Sequence, residues 1–202
     1  ADDEGGRVDV NLMYRVGYSS DVAAGDWFVE SGAFDYVVIR EIMGNYSGTN
    51  HFGPYDTITR AQVATILWRL AGSPASSISQ PFSDADPYEY YYKALCWAKE
   101  IGVSTGYSGT DFFGPNDPVT REQLATLFAR YASVADGRDT SSDCAAMNSK
   151  NGADEVSDYA REAMGWAVDT GLITGVNGTD LEPDGTAWRA SMAEMVKRYA
   201  SL

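Results

Sequence analysis

The stretch Phe113-Gly-Pro-Asn-Asp-Pro-Val-Thr-Arg-Glu-Gln123 recurs upstream as Phe52-Gly-Pro-Tyr-Asp-Thr-Ile-Thr-Arg-Ala-Gln62. A looser copy follows as Leu181-Glu-Pro-Asp-Gly-Thr-Ala-Trp-Arg-Ala-Ser191, and in all three the Pro stands six residues before the Arg. A chain built from three copies of one unit is a repeat protein, whose units bury their apolar faces against one another. Each copy runs into an apolar stripe at i, i+3, i+4 and i+7: Val63, Ile66, Leu67, Leu70; Leu124, Leu127, Phe128, Tyr131; Met192, Met195, Val196, Tyr199. That spacing predicts three amphipathic helices. Thr59 and Thr120 are N-cap residues, and Gln62 and Gln123, three places on, complete capping boxes. Ile58 with Val63, and Val119 with Leu124, stand at hydrophobic-staple spacing. Arg60, Arg121 and Arg189 then fall at the first helical position, expected to lie beside exposed amides and the positive end of the helix dipole.

Composition narrows the function. The chain has 202 residues, 44% of them apolar and 12% aromatic, enough for a packed core. Units of about 60 residues fold poorly alone and are expected to fold as one cooperative body. Fifteen basic residues against 29 acidic ones give a net charge of −14. That balance argues against nucleic acid as a partner, because sequence-independent binding needs a basic footprint. No apolar run reaches the roughly 18 to 20 residues that span a bilayer, so membrane insertion is not expected. Residues 1–6 are acidic and small and do not read as a signal peptide, which leaves export open for a trimmed product. Cys96 and Cys144 do not form a metal-type cluster, and one disulfide or two inert thiols are both open.

In order, the chain divides into a lead segment, 1–17, and a first repeat, 18–72, whose first helix surrounds Ala33, Phe34, Tyr36, Val37 and Val38. A Ser- and Pro-containing linker, 73–81, reads as exposed and irregular. The second repeat, 82–133, opens with Phe82-Ser83-Asp84 and the aromatic run Tyr88 to Tyr92, then a helix carrying Ala94, Trp97, Ala98 and Ile101. A second linker, 134–152, lacks the alternating ligands and closing Glu of a calcium loop and reads as a solvated loop. The third repeat is 153–202. Trp97, Trp166 and Tyr36, at helical spacing beside small residues, read as core. Consecutive aromatics in Tyr88 to Tyr92 cannot all face inward, so some are expected at the surface.

The ordered set Phe-x-Asp, an aromatic, Ala-x-x-Trp-Ala, Gly-x-x-x-Gly-Tyr-Ser-Gly-Thr, Phe-x-Pro and Thr-Arg-Ala-Gln resembles the S-layer homology module, in three tandem copies over about residues 18 to 202. The resemblance implies an all-α fold: a pseudo-threefold arrangement of helix-loop-helix repeats around a central three-helix bundle, with grooves between repeats. It also implies non-covalent attachment of a bacterial surface protein to a cell-wall polysaccharide, with an anionic, pyruvylated amino-sugar terminus as ligand. Carried over by position, the ligand residues are Arg60, Arg121 and Arg189, with their neighbours Gln62 and Gln123. Asp84 and Asp21 match the early acidic residue, Trp27 the opening aromatic, and Tyr46 and Tyr107 the turn before the Arg helix. In repeat three Trp188 replaces the capping Thr, Ser191 the Gln, and Val176-Asn177 the Tyr-Ser pair, which makes the Arg189 groove the weakest of the three. Glu41 stands where the other repeats have Gly102 and Gly171.

The chemistry of the residues agrees with that implication. A pyruvyl ketal presents a carboxylate, which suits a guanidinium fork, and aromatic faces suit the apolar side of a sugar ring. The bland alternative for each Arg is a surface residue pairing locally. His51 is the single histidine, without a counterpart in the other repeats, and reads as a bystander; no nucleophile elbow accompanies it. No phosphate loop, zinc spacing or cofactor motif appears, and the repeats leave no room for a separate catalytic domain. The reading is therefore a non-enzymatic module at the extracellular bacterial surface, with cell-wall polysaccharide and other surface-layer proteins as partners. A protein-interaction or self-assembly module and a wall-acting hydrolase are the competing readings.

Overall fold

A computed structural model describes residues 18–202, so the lead segment 1–17 lies outside the described residues. Among these the secondary structure is helical, with isolated bridges and no strand. The helices are α1 (Trp27–Glu30), α2 (Ala33–Ile39), α3 (Arg60–Leu70), α4 (Tyr92–Ile101), α5 (Arg121–Asp136), α6 (Ala145–Asn148), α7 (Arg161–Asp169) and α8 (Arg189–Tyr199), with a 3₁₀ turn at Asp158–Ala160. The fold class is all-α, as the stripes predict.

The helix starts follow the local chemistry. Thr59 Oγ1 accepts from the Gln62 amide at 3.3 Å, and Gln62 Oε1 accepts from the Thr59 amide at 3.2 Å. Thr120 and Gln123 repeat both bonds at 3.3 Å. Trp188 has no side-chain cap to offer α8. At the helix ends, Gly102 after α4 and Gly137 after α5 sit at φ 86° and 64°, the left-handed region open to glycine. Glu41 adopts the same conformation at φ 56° without that freedom.

The contacts divide the chain into two units. One comprises residues 57–187. In it α3 packs on α4, α5 packs on α7, and α3 meets α5. Each Arg-bearing helix here pairs with the first helix of the following repeat, so packing crosses the sequence boundaries. A core cluster joins Ala61 and Ala64 of α3 to Phe82, Tyr91, Leu95 and Phe113. The staple residues before the helices form a closed ring: Ile58 N–H donates to Ala187 O, Ala187 N–H to Val119 O, and Val119 N–H to Ile58 O, at 2.9, 2.9 and 3.0 Å. All three are buried, so these pairings satisfy amides that water cannot reach. The stretch read as a solvated linker contains α6, and Met147 on it is fully buried, which ties the segment down. Cys96 and Cys144 are free thiols, and burial pushes the Cys96 thiol up from its ordinary pKa.

The other unit joins the described part of residues 1–56 to 188–201. Here α8 packs on α2 and on α1. Its core holds the rings of Phe28, Phe34 and Phe52, with Phe34 edge-on to Phe52 at 5.0 Å. Glu194 on α8 accepts from the Ser31 hydroxyl at 2.6 Å and holds Arg198 at 2.9 Å, four residues along the same helix.

Candidate functional site

The first two amides of each Arg helix are already bonded, which corrects the expectation of free amides there. Arg60 N–H donates to Asp117 O and Ala61 N–H to Pro115 O, both at 3.0 Å. Arg121 and Glu122 donate likewise to Gly185 O and Pro183 O, and Arg189 and Ala190 to Asp56 O and Pro54 O. The Pro-containing turn of one copy thus supplies the carbonyls that cap the Arg helix of another. This is how the orphan amides of a helix start are met in a packed interior.

The same docking holds the guanidinium of Arg60. Its Nε donates to Phe113 O at 2.6 Å, and Cζ lies 4.4 Å over the Tyr107 ring and 4.8 Å from that of Phe113. Arg60 is only 7% exposed, yet its Nη groups make no hydrogen bond to any described residue. Burial lowers its pKa, while Tyr107, Asp117 and Asp84 act to raise it. An arginine remains charged under that pull. The Tyr107 hydroxyl donates to Asp117 Oδ2 at 2.6 Å, which fixes the ring under the cation. Burial first, then that bond, raises the Tyr107 pKa.

Arg60 and Tyr107 line a cleft of about 490 Å³ together with residues 104–106, Gln123, Thr126, Arg130 and Tyr159. Tyr159 donates to Glu122 Oε1 at 2.8 Å, and Glu122 also accepts from the amide and hydroxyl of Ser157. Burial, then this bond to Glu122, raises the Tyr159 pKa well above the ordinary phenol range.

Asp84 lies outside the cleft lining, and its two oxygens accept the Phe113 and Gly114 amides at 2.8 Å. Those two bonds shape the loop beneath Arg60. Asp21 does the same for the Phe52 and Gly53 amides at 2.8 and 2.7 Å. Gln62 is engaged in its capping box.

Arg121 shares the unit with Arg60 but not its surroundings. Nε donates to Leu181 O at 2.7 Å, and no ring of a described residue lies under the guanidinium. Burial lowers its pKa and Glu182 acts to raise it. Because the Arg helix meets the following repeat, the losses at Val176 and Leu181 fall on Arg121, not on Arg189.

In the other unit Arg189 is held much as Arg60 is. Nε donates to Phe52 O at 2.7 Å, and Cζ lies 4.5 Å over Tyr46 and 5.0 Å from Phe52. Tyr46 donates to Asp56 Oδ2 at 3.0 Å. One Nη, however, is spent on Gly44 O at 2.8 Å. His51, read as a bystander, is engaged: Nδ1 lies 3.0 Å from Asp21 Oδ2, Nε2 lies 3.7 Å from Asp56 Oδ2, and the ring stacks on Tyr46. Trp188 is 45% exposed and meets Tyr55 edge-on at 5.9 Å, a packing contact at the position where the other Arg helices carry a capping Thr. Trp27 packs edge-on to Phe28 at 5.6 Å with much of its ring exposed.

The structure therefore brings Arg60, Tyr107 and Gln123 into one cleft. Sequence reasoning missed Arg130 and Tyr159 as members. Arg130 sits nine residues after Arg121 on the polar side of a helical stripe, where sequence alone reads a solvated charge.

Residues 81–125 match the model of the S-layer homology domain. The chain is 31% identical over 78% of its length to the surface-layer 125 kDa protein of Lysinibacillus sphaericus, and 27% identical over 89% to an S-layer protein of Bacillus licheniformis. It is 28% identical over 88% of its length to an endoglucanase of Bacillus sp. (strain KSM-635). The matches span 13%, 20% and 18% of those relatives respectively, a small part of each. Residues 81–125 thus carry an S-layer homology domain, and over most of its length the chain is similar to S-layer proteins and surface enzymes.

Proposed function

We propose that this chain is a non-catalytic module at the bacterial cell surface that holds a surface protein to the cell wall by binding a wall polysaccharide. Its ligand is an anionic, pyruvylated amino-sugar terminus, captured by Arg60. The observation that carries this is the Arg60 side chain: Nε locked on Phe113 O, the cation stacked on Tyr107, and the Nη groups at a cleft with no hydrogen bond to a described residue. A carboxylate meets such a fork in two parallel hydrogen bonds, strengthened by burial. Kinship with S-layer proteins supports the same role. Arg121 and Arg189 are secondary candidates, the first for want of a ring beneath it and the second for its partly occupied fork.

The test is retention on purified wall stripped of protein. Arg60→Ala is expected to weaken it about 30-fold or more, the scale for truncating one partner of a buried charged pair. Chemically de-pyruvylated polymer should weaken it as much; unchanged retention in both arms rejects the reading. A second reading, self-assembly, is favoured by the exposed cluster of Tyr55 (53%) and Trp188. Sedimentation of Trp188→Ala against the parent chain decides it, since only an interface residue changes the association state.

A further inference from the structure

Arg130 is an exposed residue of α5 that lines the Arg60 cleft and also an adjoining recess of about 240 Å³. The two share Thr126, Arg130 and Tyr159. No hydrogen bond, ion pair or ring contact to a described residue engages the Arg130 guanidinium. Its counterpart on α8, nine residues after Arg189, is Arg198, which is paired with Glu194 at 2.9 Å. On α5 the position of Glu194 is taken by Thr126, whose hydroxyl donates instead to Glu122 O. Arg69, the counterpart on α3, also has partners. Arg130 is thus the cation of this set left without an internal role, in a chain of net charge −14. Concave, low-dielectric walls focus the field of such a charge onto a bound anion.

We propose that Arg130 forms a second cationic subsite, which takes a carboxylate or phosphate on the sugar residue next to the terminal one. This rests on the reading that Arg60 captures an anionic terminus. A volume of 490 Å³ lies within the roughly 300–1,000 Å³ typical of ligand clefts, and the adjoining recess extends it beyond one pyranose ring. Glu162 is the carboxylate lining the smaller recess, so the anion is placed on the Thr126 side, toward the Arg60 cleft. The subsite makes the module read two charges along a polymer, not one at its end.

Calorimetric titration with three kinds of synthetic glycoside tests this. All share a pyruvyl-ketal amino-sugar terminus: the methyl glycoside alone, a disaccharide with a neutral second ring, and disaccharides whose second ring carries a carboxylate or a phosphate. The parent chain is expected to bind the charged disaccharides about 5- to 10-fold more tightly than the neutral one, the effect of one partly exposed charge pair. Arg130→Gln should erase that preference. Thr126→Glu, which rebuilds the pairing seen between Glu194 and Arg198, should erase it with the arginine still present. Equal binding of charged and neutral disaccharides by the parent chain, or a preference that survives Arg130→Gln, overturns the subsite while terminal capture stands. If no probe binds, the methyl glycoside included, both fall.

Discussion

Arg60 and Arg121 occupy the same place in two copies of one sequence, yet the loops they dock on differ at four linked positions. Under Arg60 stand Tyr107, Phe113, Gly114 and Asp117; at the matching places for Arg121 stand Val176, Leu181, Glu182 and Gly185. These changes are not independent. A Cβ on Gly114 would sit 2.2 Å from Asp117 Oδ2 and 2.7 Å from Tyr107 Cε2, so the glycine is required while the Tyr-Asp pair is present. Gly53, with Asp56 at 2.3 Å and Tyr46 at 2.7 Å, repeats the constraint beneath Arg189. Once Tyr and Asp are gone, the space opens, and Glu182 fills it at φ 46°. The loop beneath Arg121 has thus lost its ring, its anchor and its glycine together.

That comparison breaks most sharply in binding. Arg60→Ala is expected to lose wall affinity about 30-fold or more, and Arg121→Ala less than about threefold, because only the first guanidinium is stacked and faces the cleft. Equal losses, measured by retention on stripped wall, end the distinction. In stability, Gly114→Ala should cost about 2–3 kcal/mol: a left-handed alanine costs 1–2, and displacing the Asp117–Tyr107 bond adds about 1. The opposite change beneath Arg121, Glu182→Gly, should stabilise by roughly 0.5–1 kcal/mol, as relief of the left-handed strain exceeds the added freedom of the unfolded chain. Denaturant unfolding of both variants checks the two signs. The caps separate the copies too, and the smallest effect of all is at Trp188. Thr120→Ala should cost about 1 kcal/mol. Trp188→Thr should change stability by less than about 0.5 kcal/mol, since a gained cap offsets a lost edge contact with Tyr55. Thermal unfolding distinguishes these.

The helices and their starts were legible because they depend on neighbours in sequence. The stripes, Thr59 with Gln62 and Thr120 with Gln123 act within one or two turns. The aromatic beneath Arg60 was legible as a residue type but not as its partner, because Tyr107 belongs to another copy. Repeat three's departures misled for that reason: Val176 and Leu181 lie in the same copy as Arg189 but form the floor for Arg121. His51 looked idle because its partners, Asp21 and Asp56, converge only when the loops fold.

By itself the sequence determined that the chain is helical, where its principal helices begin, and which three arginines open them, since propensity, capping and periodicity are local. Tertiary structure alone decided that the first two amides of each Arg helix are already bonded, that no described residue hydrogen-bonds the Nη groups of Arg60, and that Arg130 shares its cleft. Those facts depend on which backbone carbonyls and side chains reach a given atom through space, and residues as far apart in the chain as Pro54 and Ala190 supply them.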